Sequence, residues 1–213
     1  MENNDKYIAL SFDDGPSNVT ESVIEKLQKY GVVATFFLVG DNITAALEPA
    51  VKKAYDFGCE IANHSKTHSN MTMLTAEQIA EEIAFTSARA ESITGEKPTM
   101  FRPPYIAVNQ LMIDTVKMTF IAGYGCRDWE ESVSARERTE MILSQICHGG
   151  IILMHDAEDN VKTVEALDLL IPELIKRGYK FTTVSNLFTL CGATPDHSKV
   201  YTNVFQEHRY MVT

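Results

Sequence analysis

The stretch KYGVVATFFLV, residues 29–39, contains the unit that decides the fold: a helical pattern ends at a glycine, and a short, mostly apolar strand follows. The same order recurs in DFGCEIA, TGEKPTMF, HGGIILM and KRGYKFTTV. A glycine just past a helix is the usual left-handed stop, and a tight turn after it leads into the next strand. Helices that alternate with strands along the whole chain predict a parallel sheet with helical crossovers.

Seven strands are predicted, and several are almost entirely apolar, as expected for strands that are covered on both faces. They lie at residues 7–12, 33–39, 60–62, 100–101, 120–122, 151–154 and 181–184. The strand count favours an α/β fold in which about seven parallel strands close as a (β/α) barrel, although the periodicity alone also allows an open doubly wound sheet. The 213 residues are interpreted as a single domain, with a core at about 7–190 and an irregular closing segment at 191–213.

The composition is that of a globular protein that does not bind nucleic acid. Hydrophobic residues make up 45% of the chain, and 19 Lys and Arg against 29 Asp and Glu give a net charge of −10. Such a chain repels a phosphate backbone. No apolar run approaches the roughly 20 residues of a membrane span, and the opening residues, MENNDK, lack the basic and apolar regions of a signal peptide. We therefore predict no nucleic-acid partner, no membrane span and no signal peptide in this chain.

Polar motifs follow five of the predicted strands. They are DDGP at residues 13–16, NHSKTH at 63–68, RPPY at 102–105, RDW at 127–129 and HD at 155–156. In parallel α/β folds, ligands bind at the carboxyl ends of the strands, where these loops leave the sheet. Five such motifs on one rim predict a single composite site.

His64 and His68 are the candidate metal ligands. Residues four apart project from the same face of a helical turn, and Asp13 or Asp14 offers a carboxylate on the same rim. Two imidazoles and one carboxylate leave coordination positions open, as in catalytic metal sites. Zn²⁺ is the default ion, and Co²⁺, Ni²⁺ or Fe²⁺ could use the same ligands. Because the two aspartates are consecutive, one can bind the ion while the other stays free as a base.

Three further rim residues are candidates for acid–base chemistry or substrate contact. Arg102, followed by two prolines that stiffen its loop, needs a carboxylate partner, which Asp13 or Asp128 can supply. His155 emerges beside an apolar strand, where a partnering carboxylate would keep it protonated as a general acid. Trp129 is the only tryptophan, and it either packs in the core or lines the site.

Taken together, the motifs resemble those of the polysaccharide deacetylase family, the NodB-homology deacetylases of carbohydrate esterase family four. The family's motifs T/S-F-D-D-G-P, H-S/T-x-x-H, R-x-P-Y, D-x-x-D-W and L-x-H stand here in order at residues 11–16, 64–68, 102–105, 125–129 and 153–155. The resemblance covers residues 7–190 and implies a distorted barrel with fewer than eight strands. Two positions depart from it: Gly125 replaces the first Asp of the fourth motif, which implies a more open rim, and Ile106 stands where glycine is usual.

The resemblance also implies how the metal and the attacking water are handled. Asp14, His64 and His68 would bind the metal ion. Asp13 would be the catalytic base, and Arg102 would orient it. The residues by themselves leave open which of the two consecutive aspartates binds the metal, and the family pattern assigns the second.

The remaining roles concern the leaving group and the acetyl group. By resemblance, Asp128 would pair with His155, the catalytic acid that protonates the departing amine or hydroxyl. The backbone N–H of Tyr105 would help to hold the oxyanion. Trp129 and Leu153 would line the pocket for the acetyl methyl group.

The activity implied is metal-dependent removal of acetyl groups from a polysaccharide. N-deacetylation of N-acetylglucosamine units, as in peptidoglycan or chitin, is the first interpretation, and O-deacetylation of acetylated xylan is the alternative, because the same residues serve both bonds. The acidic chain favours neutral glycans. A non-catalytic carbohydrate-binding relative is a remote alternative, since a binder needs no complete acid–base–metal set, and an iron oxygenase would leave Arg102, Asp128 and His155 unexplained together. We expect a monomer that acts outside the cell or at the cell wall, as a module of a longer precursor.

Overall fold

The computed structural model describes residues 5–206 and shows a curled sheet of nine strands surrounded by helices. Residues 1–4 and 207–213 lie outside the described part. They include most of the segment on which the signal-peptide prediction rests, and the end of the predicted tail. The strands are β1 Lys6–Asp13, β2 Thr35–Leu38, β3 Glu60–Asn63, β4 Met100–Phe101, β5 Thr119–Ile121, β6 Tyr124–Gly125, β7 Ile151–His155, β8 Tyr179–Thr182 and β9 Val200–Tyr201. The helices are α1 Thr20–Tyr30, α2 Glu48–Asp56, α3 Ala76–Thr94, α4 Gln110–Thr115, α5 Ala135–Gln145, α6 Val161–Lys176 and α7 Val184–Leu190.

The strand order is β6-β7-β1-β2-β3-β4-β5-β9, with β8 paired to the first half of β1, and every pairing of these strands is parallel. The chain after β9 returns to the start of β7, where Ile151 donates a backbone hydrogen bond to Thr202 at 3.0 Å and Gly150 forms an antiparallel bridge with Asn203. This contact links the β5 edge of the sheet to β7. The distorted α/β barrel predicted from the sequence is confirmed.

All seven predicted strands are present, and two short ones are added. β6 and β9 contain two residues each, as does the predicted β4. β9 lies within residues 191–213, so the prediction that this segment is irregular is wrong at this point. Val200 and Tyr201 are buried and pair with Phe120 and Ile121 of β5, which explains why the tail follows the sheet there.

Local signals in the sequence account for the boundaries of several helices. The predicted capping boxes at the starts of α3 and α5 are present, with reciprocal bonds between Thr75 and Gln78 and between Ser134 and Glu137. α1 ends at Gly31, whose φ of 64° is the left-handed conformation that glycine adopts without steric cost. Within residues 5–206, no helix is long and apolar enough to cross a membrane.

The curled sheet positions the site because its strands all end on the same side. Strand β1 is buried along most of its length and lies at the centre of the sheet, with β2 on one edge and β7 on the other. The polar residues that follow β1, β3, β4 and β7 therefore leave the sheet at one rim. Helices α1 and α6 pack against each other beside this central region, and their apolar faces contribute to the largest buried cluster.

Candidate active site

The rim holds a cavity of about 730 Å³. Eight of the ten site residues predicted from the sequence line it: Asp13, Asp14, His64, His68, Tyr105, Trp129, Leu153 and His155. The other two, Arg102 and Asp128, are buried directly behind Asp13 and His155 and contact them. The structure thus brings all ten residues together in one place.

The candidate metal ligands form a compact group. Single ligand atoms of Asp14, His64 and His68 lie within 4.8 Å of one another. Asp14 Oδ1 is 3.4 Å from His64 Nε2 and 3.3 Å from His68 Nε2, and this buried oxygen has no hydrogen-bond partner among the described residues. His64 Nδ1 lies 2.6 Å from the carbonyl oxygen of Arg102, which leaves Nε2 free toward the group. The residues present therefore fit a divalent cation with open coordination positions.

The loop between the two histidines does not form the helical turn that their spacing predicts. Ser65 and His68 adopt left-handed backbone conformations, with φ of 67° and 59°. Buried Glu82 of α3 accepts hydrogen bonds from the backbone N–H groups of Lys66 and Thr67 at 2.8 and 2.9 Å. The imidazoles converge through an irregular loop, because a buried carboxylate satisfies the N–H groups that a helix would otherwise satisfy.

Electrostatics at the ligand group favour a charged carboxylate at Asp14 and a neutral imidazole at His68. Burial raises the pKa of Asp14, but the close polar contact and charge of His64, together with the charges of His155 and His68, outweigh it and lower that pKa to about 2. The pKa of His68 is lowered, first by burial and then by its neighbour His64. These are the protonation states that a metal ion requires of its ligands.

Asp13 is held by a buried arginine. Arg102 is fully buried, and its Nη1 donates to Asp13 Oδ1, while its Nη2 donates to Ser11 Oγ at 2.9 Å and to the carbonyl of Ala122 at 2.8 Å. Of the two carboxylate partners that the sequence allowed for this arginine, the structure therefore selects Asp13. The second oxygen of Asp13 lies 3.8 Å from His64 Nε2, beside the ligand group.

His155 and Asp128 form the second buried pair. Asp128 Oδ1 is 2.8 Å from His155 Nδ1, and Asp128 Oδ2 accepts the backbone N–H of His155 at 2.6 Å. Burial lowers the pKa of His155, but the hydrogen bond and charge of Asp128, followed by the charges of Asp13 and Asp14, raise it to about 9. The imidazole is therefore a protonated acid at neutral pH.

Aromatic side chains border the cavity on both sides. Trp129 is 61% exposed and packs against His155 in a T-shaped arrangement, with ring centroids 5.6 Å apart, so it lines the site instead of packing in the core. Tyr105 is 69% exposed and lies against His68 at 4.8 Å. Both Tyr105 and Ile106 have positive φ, 60° and 53°, which is unusual for a β-branched residue such as Ile106. A side chain at Gly125 would meet nothing within 4 Å, in agreement with an open rim.

Several residues that support the site were not indicated by the motifs. They are Glu82, which holds the histidine loop, and Arg138, Asn160 and Thr163, which lie behind the Asp128–His155 pair. The contacts of Glu82 with the histidine loop, of Arg138 with Asn160 and of Thr163 with Asp128 join positions 15 to 35 residues apart in the chain. A polar residue within a helix carries no local signal of such a partner, so the sequence offered no means of finding them.

Asp156 is a buried carboxyl group at the turn that carries Asp13 and Asp14. It is fully buried, its Oδ2 accepts the hydroxyl of Thr20, and its Oδ1 has no partner among the described residues. A Cβ on Gly15 would clash with it, so the carboxyl group lies directly against the turn. Burial, and to a smaller extent the charges of Asp14 and Asp13, raise its pKa to about 7, against the opposing hydrogen bond from Thr20.

We expect Asp156→Asn to reduce the pH dependence of stability. Because the pKa of Asp156 is raised, the folded protein binds the carboxyl proton more tightly than the unfolded chain does. The stability that this protonation contributes is complete below about pH 4 and is lost as the pH rises to about 7. In metal-free protein, the free energy of unfolding of the wild type relative to Asp156→Asn should fall by about 2–4 kcal/mol between pH 4 and pH 8. Denaturant titrations at these pH values measure it. Asp41→Asn, at an exposed position, is the control. If the free energy of unfolding changed with pH in the same way in the wild type and in Asp156→Asn, the prediction would be contradicted.

Comparison with known proteins places this geometry in a family. Residues 1–121 match the family model described as polysaccharide deacetylase. The bifunctional xylanase/deacetylase of Pseudobutyrivibrio xylanivorans is 44% identical over 94% of this chain and 34% of that protein. A peptidoglycan-N-acetylglucosamine deacetylase of Listeria monocytogenes is 33% identical over 86% of this chain and 39% of that protein. The chain therefore spans little more than a third of the length of these relatives.

Two solved structures are close in shape. The Xyl-CE4 domain of a multidomain xylanase from the hindgut metagenome of Trinervitermes trinervoides has a TM-score of 0.93 at 42% identity, covering 94% of this chain and 98% of that one. A family 4 acetyl xylan esterase from Clostridium thermocellum, in complex with a cobalt ion, has a TM-score of 0.91 at 38% identity, covering 94% of this chain and all of that one. The fold and the site define an α/β barrel with an Asp-His-His group at its rim. The chain belongs to the polysaccharide deacetylase family.

Proposed function

We propose that this chain hydrolyses acetyl groups from a polysaccharide with the help of a divalent metal ion. The observation that carries the proposal is that three groups meet at one cavity: the Asp-His-His ligand group, the carboxylate of Asp13, which is not part of that group, and a protonated imidazole at His155. Two buried partners, Arg102 and Asp128, orient the latter two. A carbohydrate-binding protein without activity would not need this set.

Asp13 is proposed as the base. Arg102 engages one of its oxygens, and the other lies beside the ligand group, where it would accept a proton from the attacking water. A divalent ion held by Asp14, His64 and His68 supplies a Lewis acid that polarises the acetyl carbonyl and lowers the pKa of water. Zn²⁺ is the proposed ion, with Co²⁺ and Ni²⁺ as candidates for the same ligands.

His155 is proposed as the acid. Its raised pKa keeps it protonated at neutral pH. The imidazole lines the cavity, while its Nδ1 contacts the buried carboxylate of Asp128. It would protonate the oxygen or nitrogen that leaves the acetyl group. The backbone N–H of Tyr105 is proposed to stabilise the oxyanion, while Trp129 and Leu153 enclose the acetyl methyl group.

We propose acetylated xylan as the first candidate substrate, and polymers of N-acetylglucosamine, the first interpretation from the sequence, as the second. The relatives named for xylan or for a xylanase are 38–44% identical to this chain, against 33% for the peptidoglycan deacetylase. A second cavity of about 600 Å³ adjoins the first at Trp129, and Glu131, Glu158 and Asp159 line it. Lys162 and the buried Arg138 also line this cavity, but its carboxylates outnumber them, so the net charge would oppose an anionic polymer and favour a neutral one.

Acetate release from acetylated xylan and from N-acetylglucosamine oligomers, measured in parallel with Zn²⁺-loaded protein, tests the proposal. We expect release from xylan that a chelator abolishes, with less release from the oligomers. Release from the oligomers alone would make polymers of N-acetylglucosamine the first candidate substrate and acetylated xylan the second. Chelator-insensitive release would contradict the metal-dependent mechanism, and the absence of release from both polymers would favour a non-catalytic carbohydrate-binding relative.

The cellular context is also a proposal. The length of the matched relatives supports a catalytic module within a longer protein, and a polymer substrate of this kind supports action outside the cell or at the cell wall. We further propose that the module is a monomer, which sedimentation of the purified chain would test.

A further inference from the structure

Arg138 is a buried arginine behind the candidate acid, and it has no acidic hydrogen-bond partner in the described part of the chain. It lies in α5 and is 1% exposed. Its Nε donates to the carbonyl of Val133 at 3.0 Å, its Nη1 donates to Asn160 Oδ1 at 2.6 Å and to Thr163 Oγ1 at 3.0 Å, and its Nη2 donates to the carbonyl of Glu130 at 3.3 Å. Every acceptor of this guanidinium within residues 5–206 is thus uncharged. Burial of a cation without a carboxylate is costly, so a specific arrangement must hold it.

Two of these acceptors contact the candidate acid–carboxylate pair. The hydroxyl of Thr163 is 2.9 Å from Asp128 Oδ2, and the Asn160 Nδ2 amide donates to the carbonyl of His155 at 3.0 Å. Thr163 is fully buried at the start of α6. Arg138 therefore reaches Asp128 through one intermediary and the backbone of His155 through another.

The chemistry of the guanidinium determines the direction of these hydrogen bonds. Arginine has five N–H donors and no acceptor, so Thr163 must accept from it and must give its single proton to Asp128. Asn160 must likewise turn its oxygen to Arg138, which leaves its amide N–H for the carbonyl of His155.

The same direction continues to the imidazole. Asp128 Oδ2 accepts hydrogen bonds from both the hydroxyl of Thr163 and the backbone N–H of His155, so the carboxylate acts as an acceptor throughout. Asp128 Oδ1 then accepts from His155 Nδ1, which must carry a proton. Nε2 is left as the nitrogen that gains and loses a proton. Asp128 thus holds the Nδ1 proton of His155, and the hydrogen bonds from Arg138 through Thr163 fix the position of the carboxylate that holds it.

We propose that Arg138 is a positioning residue for the candidate acid, which it orients through Thr163 and Asp128 and through Asn160. The inference deepens the proposed deacetylase function, and the rate measurements rest on that function. The orientation of the His155 imidazole can be tested without any activity. The inference assigns a role to Arg138 of α5 and Thr163 of α6, two buried residues that lie behind Asp128 and do not line the 730 Å³ cavity.

Thr163→Val is the sharpest test of the rates, because it removes the intermediary hydroxyl while keeping the shape of the side chain. We expect kcat on the acetylated polysaccharide to fall about tenfold or more and the rate on 4-nitrophenyl acetate to change less than about twofold. In a His155→Ala background, Thr163→Val should then have little further effect. Thr139→Val is the matched control: its buried hydroxyl also bridges α5 and α6, to the carbonyl of Ala166, but contacts neither Asp128 nor His155.

NMR of protein labelled with ¹⁵N-histidine supplies a readout that does not require activity. In the wild type, His155 should have a proton on Nδ1 that exchanges slowly with water, and this exchange should be about tenfold or more faster in Thr163→Val and in Arg138→Lys. Thr139→Val should resemble the wild type. If Arg138→Lys fails to fold, Thr163→Val alone decides the outcome.

The outcomes separate this inference from the proposed function. Unchanged exchange in a folded Thr163→Val protein, or equal rate losses on the polysaccharide and on the aryl acetate, would overturn the role of Arg138. Absence of acetate release by the wild type would overturn the proposed function, while the exchange measurement would still test the inference.

Discussion

Asp13→Asn should lower acetate release by about 10³-fold or more while the metal content stays near that of the wild type. Removing a general base costs on the order of 10²–10⁴ in rate, and Asn cannot take the proton of the attacking water. The metal should remain, because Asp14 Oδ1 is within 3.4 Å of both His64 and His68, whereas the nearest approach of Asp13 to His64 is 3.8 Å. Acetate assays and metal analysis of the same preparation measure the two effects.

Asp14→Asn is the matched comparison for this prediction. The substitution is chemically identical and lies one residue away, but it weakens a candidate ligand, so metal content and activity should fall together. Loss of metal from Asp13→Asn with retention in Asp14→Asn would mean that the two aspartates have the opposite roles. In Asp13→Asn, the new side-chain amide has the shape of the carboxylate and still offers Arg102 an oxygen acceptor. A loss of activity in that variant would therefore not be explained by rearrangement of the buried pair.

His155→Ala should lower activity on the polysaccharide far more than on an activated aryl acetate. An alkoxide or an amine leaves poorly without a proton, so loss of the acid should cost about 10²–10⁴ in rate on xylan or on N-acetylglucosamine oligomers. A nitrophenolate leaves without protonation, so we expect less than about a tenfold loss on 4-nitrophenyl acetate. Initial rates on both substrate types, under the same metal loading, measure the ratio.

Two controls accompany this variant. Asp128→Asn should reproduce the substrate-dependent loss in part, because the buried carboxylate raises the pKa of His155 and orients its ring. His197→Ala, at an exposed position in the tail, should leave both rates unchanged. Equal losses of His155→Ala on both substrates would exclude its role as the acid and would indicate a role in binding.

The core of the site was predictable because its signals are local. Each motif combines an apolar strand with the polar residues that follow it, and such a pair can be recognised within about ten residues of sequence. Parallel strands place their carboxyl ends on the same rim, so the meeting of Asp13, His64 and His155 followed from the strand assignments. The capping boxes and the helix-ending glycines were predictable for the same reason.

The irregular parts were not predictable from local patterns. The turn between His64 and His68 follows left-handed backbone conformations that Glu82 stabilises from another helix, and the spacing of the histidines alone suggested a helical turn. β9 is a two-residue strand whose register depends on β5, about 80 residues earlier in the chain. In both cases the conformation depends on partners that are distant in the sequence.

By itself, the sequence determined the alternation of strands and helices, the rim on which the motifs gather and the ten residues that meet there. Only the tertiary structure decided which carboxylate Arg102 engages, that Trp129 faces solvent and that Arg138 stands behind His155. Arg102 follows β4 and Asp13 ends β1, two strands that are not neighbours in the sheet, and the curl of the sheet brings them into contact across 89 residues of chain. Periodicity and caps are properties of a segment, whereas a buried ion pair is a property of how the segments pack.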